Sequence, residues 1–289
     1  MTSFKVQGVD VLVEGQGPDT LVFLHGWPDT SALWTDTVLA LQPHFRCVRF
    51  TWPGFDKQNP LPPQSLNQLV QLVEDVIESV VGQASQGHQA APKVSLVLHD
   101  WGCVFGYEYA ARYPHRVQRI VAVDIGDHNS RALFEYWKGK SMRAVFGYQI
   151  WLGIAWQISR WPLPFCKSVS NAMTRSMARS LRSPSPQSDM HSGMNSPYAM
   201  RWMGSLGGLG KMANVLKVHA SSLPILYIYG KRKPFMFHSE EWLQKVAAHP
   251  GSRVEGFDTG HWVMTSRSAQ FHALVKEWLS ADELNSVGG

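Results

Sequence analysis

The sequence predicts an α/β fold: a mainly parallel sheet flanked by helices, with an inserted helical lid. Three observations carry this. Short apolar runs alternate with amphipathic stretches, the signature of a parallel sheet covered by helices on both faces. At 289 residues, 44% hydrophobic and 17% charged, the chain is long enough for one large packed α/β domain plus an insertion. Between Asp127 and Ser222 the strand rhythm stops, and aromatic residues, methionine, serine and arginine take over.

Taken in order, the predicted strands are Asp10–Glu14, Leu21–Leu24, Cys47–Phe50, Val94–Leu98, Ile120–Asp124, Ile225–Tyr229 and Arg253–Phe257. Helices with apolar residues at helical spacing are predicted at Ser31–Leu41, Leu66–Val81, Val104–Tyr113, Glu240–Ala248 and Ala269–Leu279. This divides the chain into a core, residues 1–127 and 218–289, and a lid, residues 128–217. Within the lid, Ala144 to Ser159 carries no charge but is interrupted by Gly147, Gln149, Gly153 and Gln157, and is slightly short for a membrane span. It reads as a helix buried over a pocket. With Arg143 and Arg160 flanking it beside Trp161, it also reads as an element making weak contact with a membrane surface. The prolines and serines of Arg182–Ser188 favour a loop.

The formal net charge of +5 is unevenly placed: residues 128–217 hold twelve Lys and Arg against two acids, Glu135 and Asp189, so this segment is +10 and the remainder −5. A basic segment can attract nucleic acid or anionic lipid. With no recognition motif and no clustered basic run, no nucleic-acid partner is expected. Cys47, Cys103 and Cys166 are odd in number and lack metal-ligand spacing, so neither a metal nor a disulfide framework is expected. Nothing at Met1–Val6 reads as a secretory signal, and a cytoplasmic protein without a cofactor is expected.

The chemistry is concentrated at Leu98-His99-Asp100-Trp101-Gly102-Cys103, where a buried strand must turn sharply into a helix. Such a turn presents one side chain, and in the nucleophile elbow that position holds a serine. Here it holds Asp100. A carboxylate is ionised at neutral pH without a base and can displace a leaving group from saturated carbon, becoming an alkyl ester. An aspartate at a strand end can also be a helix N-cap, but a cap does not require Gly102 two residues on, and a tight turn does.

Three other sites complete the set. His25-Gly26-Trp27-Pro28 follows a buried strand, and the Trp27 and Trp101 backbone N–H groups are expected to face one oxygen of Asp100 as an oxyanion hole. His261, in Asp258-Thr259-Gly260-His261-Trp262 after the last strand, is the candidate base for the water that opens the ester. The acid that orients it is not where a glycine at the end of the next-to-last strand would place it, because Gly230-Lys231-Arg232-Lys233 offers a lysine. A cation cannot hold imidazolium, so Lys233 is expected to matter little. Asp124, at the end of the strand after the elbow helix, is the choice and Asp127 the fallback.

With His25-Gly-Trp-Pro, His99-Asp-Trp-Gly and Gly260-His on either side of a lid, the chain resembles the α/β-hydrolase superfamily, in particular its epoxide hydrolase and haloalkane dehalogenase branches. The resemblance implies an aspartate nucleophile, and some dehalogenases place the triad acid after the strand where Asp124 lies. Trp27 after His25-Gly26 is similar to epoxide hydrolases, whose lid tyrosines protonate the opening ring oxygen. Among Tyr136, Tyr148 and Tyr198, the last is the first candidate. Leu98 and Cys103, standing where epoxide hydrolase elbows commonly have glycines, are closer to dehalogenases, in which the Trp27 and Trp101 indoles would hold a halide. The carboxylate-binding arginines of fluoroacetate dehalogenases fall on Trp101 and Val104, so the expected partners are a small, apolar, uncharged substrate and water. An epoxide hydrolase is the first reading and a haloalkane dehalogenase the second. A catalytically inactive hydrolase-fold binding protein is the alternative from another class.

Overall fold

The computed structural model describes residues 1–82, 93–210, 212 and 223–286. Eight strands, β1 (Thr2–Val6), β2 (Val9–Glu14), β3 (Thr20–Leu24), β4 (Arg46–Phe50), β5 (Val94–His99), β6 (Val117–Val123), β7 (Ile225–Gly230) and β8 (Arg253–Phe257), form one sheet in the order β1-β2-β4-β3-β5-β6-β7-β8. β2 runs antiparallel to both β1 and β4, and every other pair is parallel. Seven strands coincide with the sequence expectation, six of them to within a residue at each end, while β6 begins three residues earlier than expected, at Val117 rather than Ile120. β1 was not expected: all of it except Val6 is exposed or half-buried, so it lacks an apolar run and is fixed instead by its tight turn at Gln7-Gly8 onto β2.

The helices are α1 (Thr35–Leu41), entered through a 3₁₀ turn at Ser31–Trp34, α2 (Leu66–Val81), α3 (Trp101–Arg112), α4 (Arg131–Tyr136), α5 (Lys140–Ile158), α6 (Cys166–Ser180), α7 (Ser196–Met203), α8 (Glu240–Ala248), α9 (Val263–Ser266) and α10 (Ser268–Ser286). The strand period of two sorts the core. Val22, Leu24, Leu96, Leu98, Ile120, Ala122, Ile225 and Tyr227 face α2, α3 and α8, while Leu21, Phe23, Val97, Val121, Val123, Leu226 and Ile228 face α1, α9 and α10. The central strands are therefore apolar throughout because both their faces are covered.

Between β6 and β7 the described residues hold no strand, only α4 to α7 and short turns. Leu152, Ala178, Met190, Met194 and Met200 of this helical segment join the same core as α2 and α3. The expected boundary at residues 217 and 218 lies outside the described residues.

From β3 the chain turns to β4 on one side, and from β5 it continues to β6 on the other. The carboxyl ends of the adjacent β3 and β5 thus flank a topological switch point, where open α/β sheets leave a crevice. α3 starts at Trp101 rather than at the expected Val104. Helix and strand approach too closely for a longer connection: a Cβ on Gly102 would lie 2.2 Å from the Leu24 carbonyl oxygen. Gly102→Ala should therefore cost about 1–3 kcal/mol in urea unfolding. Gly147→Ala, on the exposed side of α5 with nothing within 4 Å of the added methyl, should gain about 0.5–1 kcal/mol.

Candidate active site

Asp100 follows β5 with φ 53° and ψ −123°, a region that side chains other than glycine rarely enter. Strain of this kind persists only where the surroundings impose it. Here Gly26 imposes it, since a Cβ there would meet Asp100 Oδ1 at 2.4 Å and the Trp101 nitrogen at 2.5 Å. The turn after β3 is braced by His25, which accepts a hydrogen bond from the Trp52 N–H through Nε2 at 3.1 Å and gives Nδ1–H to the Gly26 carbonyl at 3.0 Å. Burial holds this imidazole neutral, with its pKa lowered to about 4. The result is that the Trp27 N–H donates to Asp100 Oδ1 at 2.7 Å, while Oδ2 lies 3.4 Å from His261 Nε2.

His261 Nδ1 donates to Asp124 Oδ2, and Asp124 Oδ1 accepts from Lys233 Nζ and, at 3.0 Å, from the Gly230 N–H. Asp124, fully buried, leaves β6 with φ 72°. Burial would raise its carboxyl, but Lys233 and His261 hold it down at about 2. Burial would lower His261, but Asp124 and Asp100 hold it up at about 9. For Asp100, too, burial is outweighed by the hydrogen bond and charge of His261, and its pKa stays below the usual carboxylate value. The expectation that Lys233 stands outside the site is corrected: it does not touch His261, but it neutralises the second oxygen of His261's partner. Asp127, the fallback, points elsewhere, accepting from the Ser239 N–H at 2.8 Å and from the hydroxyls of Ser130 and Ser239.

Three residues outside the expected set underlie His261. The buried His99 ring lies 4.5 Å from the His261 ring, with Nε2–H donating to the His261 carbonyl at 3.3 Å, and burial keeps it neutral with a pKa of about 3. Asp29 accepts from the Trp262 indole at 3.0 Å and from Ser185, and burial raises its pKa to about 6. His99 lies inside the elbow motif but was given no role there, and Asp29 and Ser185 carry no local signal, because buried polar residues beneath a site have no periodic signature.

Asp100 and His261 open into a cavity of about 720 Å³. Its wall includes Trp27, Tyr148, Tyr198, Phe235 and Phe237, and the exposed Arg182, Arg232, Asp258 and Arg267 stand at its rim. Of the three candidate tyrosines, Tyr148 on α5 and Tyr198 on α7 line it, with rings 6.0 Å apart, whereas Tyr136 is 54% exposed and absent from the wall. Burial pushes both phenols up, so both are protonated donors at neutral pH. Gln149 Nε2 donates to the Tyr148 oxygen at 3.0 Å, which leaves the Tyr148 proton free to point elsewhere. The indoles offer less than expected. Trp27 Nε1 is committed to Asn195 Oδ1 at 2.8 Å, and Trp101 does not line the cavity, its ring lying edge-on to Tyr198 at 5.3 Å. Among the described residues no group of His, Cys, Asp and Glu is arranged to hold a metal ion.

The α/β-hydrolase-fold family matches this chain over residues 19–267. The chain belongs to that family. The chain is similar over 108 residues, at 34% identity, to the "Probable oxidoreductase EphD" of Mycobacterium tuberculosis, a match covering 36% of this chain and 17% of that protein. It is similar over 110 residues, at 27% identity, to the "Epoxide hydrolase 3" of Mus musculus, covering 38% and 28%. The aligned part is thus well under two thirds of either relative. Among solved structures, an epoxide hydrolase from Bacillus megaterium in complex with an inhibitor superposes with a TM-score of 0.66 at 20% identity, over 96% of this chain and all of that one. The enol-lactonase from Burkholderia xenovorans superposes with 0.57 at 15% identity, over 96% and 100%. These likenesses establish the fold of an α/β hydrolase, similar to epoxide hydrolases.

Because folding favours the His261 imidazolium, raising its pKa from 6.5 to about 9, the stabilisation is complete below pH 6.5 and disappears as pH rises through 9. Between these limits the protein should lose about 2–3 kcal/mol of unfolding free energy that His261→Gln does not lose. Guanidinium titrations of both proteins at the two pH values measure the difference.

Proposed function

We propose that this hydrolase opens an apolar epoxide through a covalent ester on Asp100. The observation that carries the reading is that two protonated phenols, Tyr148 and Tyr198, share the cavity with Asp100, while neither tryptophan indole is available there to hold a halide. An epoxide oxygen leaves as a strongly basic alkoxide and needs an acid; a halide needs only N–H donors. The names of the mouse and Bacillus megaterium proteins support the same reading.

The steps follow from the geometry. Asp100 Oδ2 attacks a ring carbon; the C–O bond breaks toward the oxygen, which takes a proton from Tyr148 or Tyr198. Asp100 becomes a neutral ester, and His261 loses one of the two anions that hold its proton, so the imidazolium gives that proton, through water in the cavity, to the tyrosinate left by ring opening, restoring the phenol and leaving His261 neutral. Neutral His261 then removes a proton from water, whose oxygen adds to the ester carbon. The charge that develops on Oδ1 sits against the Trp27 N–H, 2.7 Å away in the resting site, with the Trp101 N–H as the second donor of the oxyanion hole. Collapse expels the diol, protonated by His261, and leaves one oxygen from water in Asp100. Asp124 holds Nδ1–H so that Nε2 faces the ester, and Lys233 keeps Asp124 ionised. The helical segment acts as the lid, contributing both phenols and excluding bulk water.

Single turnover in heavy-oxygen water should put label into the Asp100 carboxylate, and His261→Gln should accumulate an enzyme heavier by one hydroxyalkyl group. Label in product alone, or a reacting His261→Gln without an adduct, counts against the ester.

Discrimination between leaving groups is a separate measurement. Single Tyr148→Phe and Tyr198→Phe variants should slow alkylation by epoxides by about tenfold to a hundredfold each, and the double variant should lose it. Halide release from bromoalkanes with no diol formed from any epoxide would assign the site to a dehalogenase instead, and a silent panel would favour a binding protein.

A further inference from the structure

We propose that the outer face of the helical segment docks onto an anionic lipid surface through the turn 161–165 and α5. A helix apolar on all sides is ordinarily enclosed by protein or lipid. α5 carries no charge from Ala144 to Ile158, yet its outward positions Ala144, Gly147, Ile150, Trp151 and Ile154 are exposed. The turn beyond it, Trp161-Pro162-Leu163-Pro164-Phe165, is exposed at every residue, with Trp161 at 58%, Leu163 at 50% and Phe165 at 60%. α5 and α6 are clamped side by side by Ser170 donating to the Ala155 carbonyl and the Trp151 indole to the Met173 carbonyl at 3.4 Å. The clamp brings Val169, 45% exposed, onto the same end as Ile154 and Phe165. Burying such a patch in water-excluding surroundings is favourable at roughly 25 cal/mol per Å².

The charges decide what covers it. From residue 136 to residue 188 there are eight Lys and Arg and no acid. Arg143, Arg160 and Lys167 are exposed around the patch, Arg160 lying over the Trp156 ring at 4.6 Å. A second copy of this chain would set the same cations against them, so self-association through this face is opposed. An anionic bilayer offers both what the apolar turn needs and what the cations need, with tryptophan at the level of the headgroups. Among the described residues no helix is long and apolar enough to cross a membrane, so the contact is peripheral. The exposed residues of the patch are not those that line the cavity: α5 gives the cavity Tyr148, while α6 reaches it only at Ser180 and beyond, the full fifteen-residue length of the helix, roughly 22 Å, from Phe165.

Sedimentation of the full chain with vesicles tests this independently of any activity. The protein should pellet with vesicles of three parts phosphatidylcholine to one part phosphatidylserine, and roughly tenfold less with phosphatidylcholine alone. Trp161→Ser/Leu163→Ser/Phe165→Ser should lose binding to both by roughly tenfold with an unchanged circular dichroism melt, since these side chains are exposed. Arg143→Gln/Arg160→Gln/Lys167→Gln should erase the preference for the anionic vesicles. The proposal is overturned if wild type stays in the supernatant with both vesicles, or if the serine variant binds as well as wild type. It is equally overturned if the patch mediates association with a second copy or an acidic protein while vesicles go unbound.

Discussion

Asp100, His261, Asp124 and Lys233 form a row of four buried or half-buried charges that alternate in sign, and the rest of the structure is arranged to keep that row complete. Each of these ions loses hydration worth several kcal/mol when it leaves water, and each is compensated by its oppositely charged neighbours in the row, with backbone N–H groups adding to the two carboxylates. Asp124 is the middle of the row, with His261 on one oxygen and Lys233 and the Gly230 N–H on the other. The four side chains come from the ends of four different strands, β5, β6, β7 and β8, which are neighbours in the parallel sheet. Parallel pairing delivers all four strand ends to one edge, which is why the row can be built at all.

The layer beneath the row is chosen to be neutral. The His99 ring packs against the His261 ring at a tilt of 44°, and a charged imidazole there would compete for the same carboxylates; complete burial prevents it from charging. His25 is held neutral in the same way under the turn that presents the Trp27 N–H. Of these three histidines only His261 is flanked by two carboxylates, and only His261 has its pKa raised.

How much of this was legible in the sequence depended on whether the constraint was local. The central expected strands are apolar runs, visible because two covered faces demand uninterrupted hydrophobicity, while the half-buried Arg253–Phe257 at the edge carries a weaker signal. Asp100 and His261 stood out by their places after strands with Gly102 and Gly260 close by, and Asp124 by its place at the end of the strand after the elbow helix; the structure brings the three together. Lys233 was misjudged because its partner lies 109 positions away in the chain and on a different strand. Asp29 and Ser185, 156 positions apart, meet only in the folded molecule. Choosing between Tyr136, Tyr148 and Tyr198 required knowing which faces of α4, α5 and α7 look inward, and α5, apolar on all sides, carries no amphipathic signal to say so.

The contact between Leu98 and Gly106 limits the routes by which this elbow can change. Leu98 fits because α3 presents Gly106 opposite it: a Cβ at 106 would lie 2.5 Å from the leucine methyl Cδ2. Large and small are exchanged across the strand–helix interface. An ancestor with glycine at 98 and a larger residue at 106 would fill the same volume, but either single step between the two passes through a hole or a collision beside the strained Asp100 backbone. Either position changed alone is therefore opposed by packing, and a residue larger than glycine at 106 is expected to be tolerated only with a smaller residue at 98.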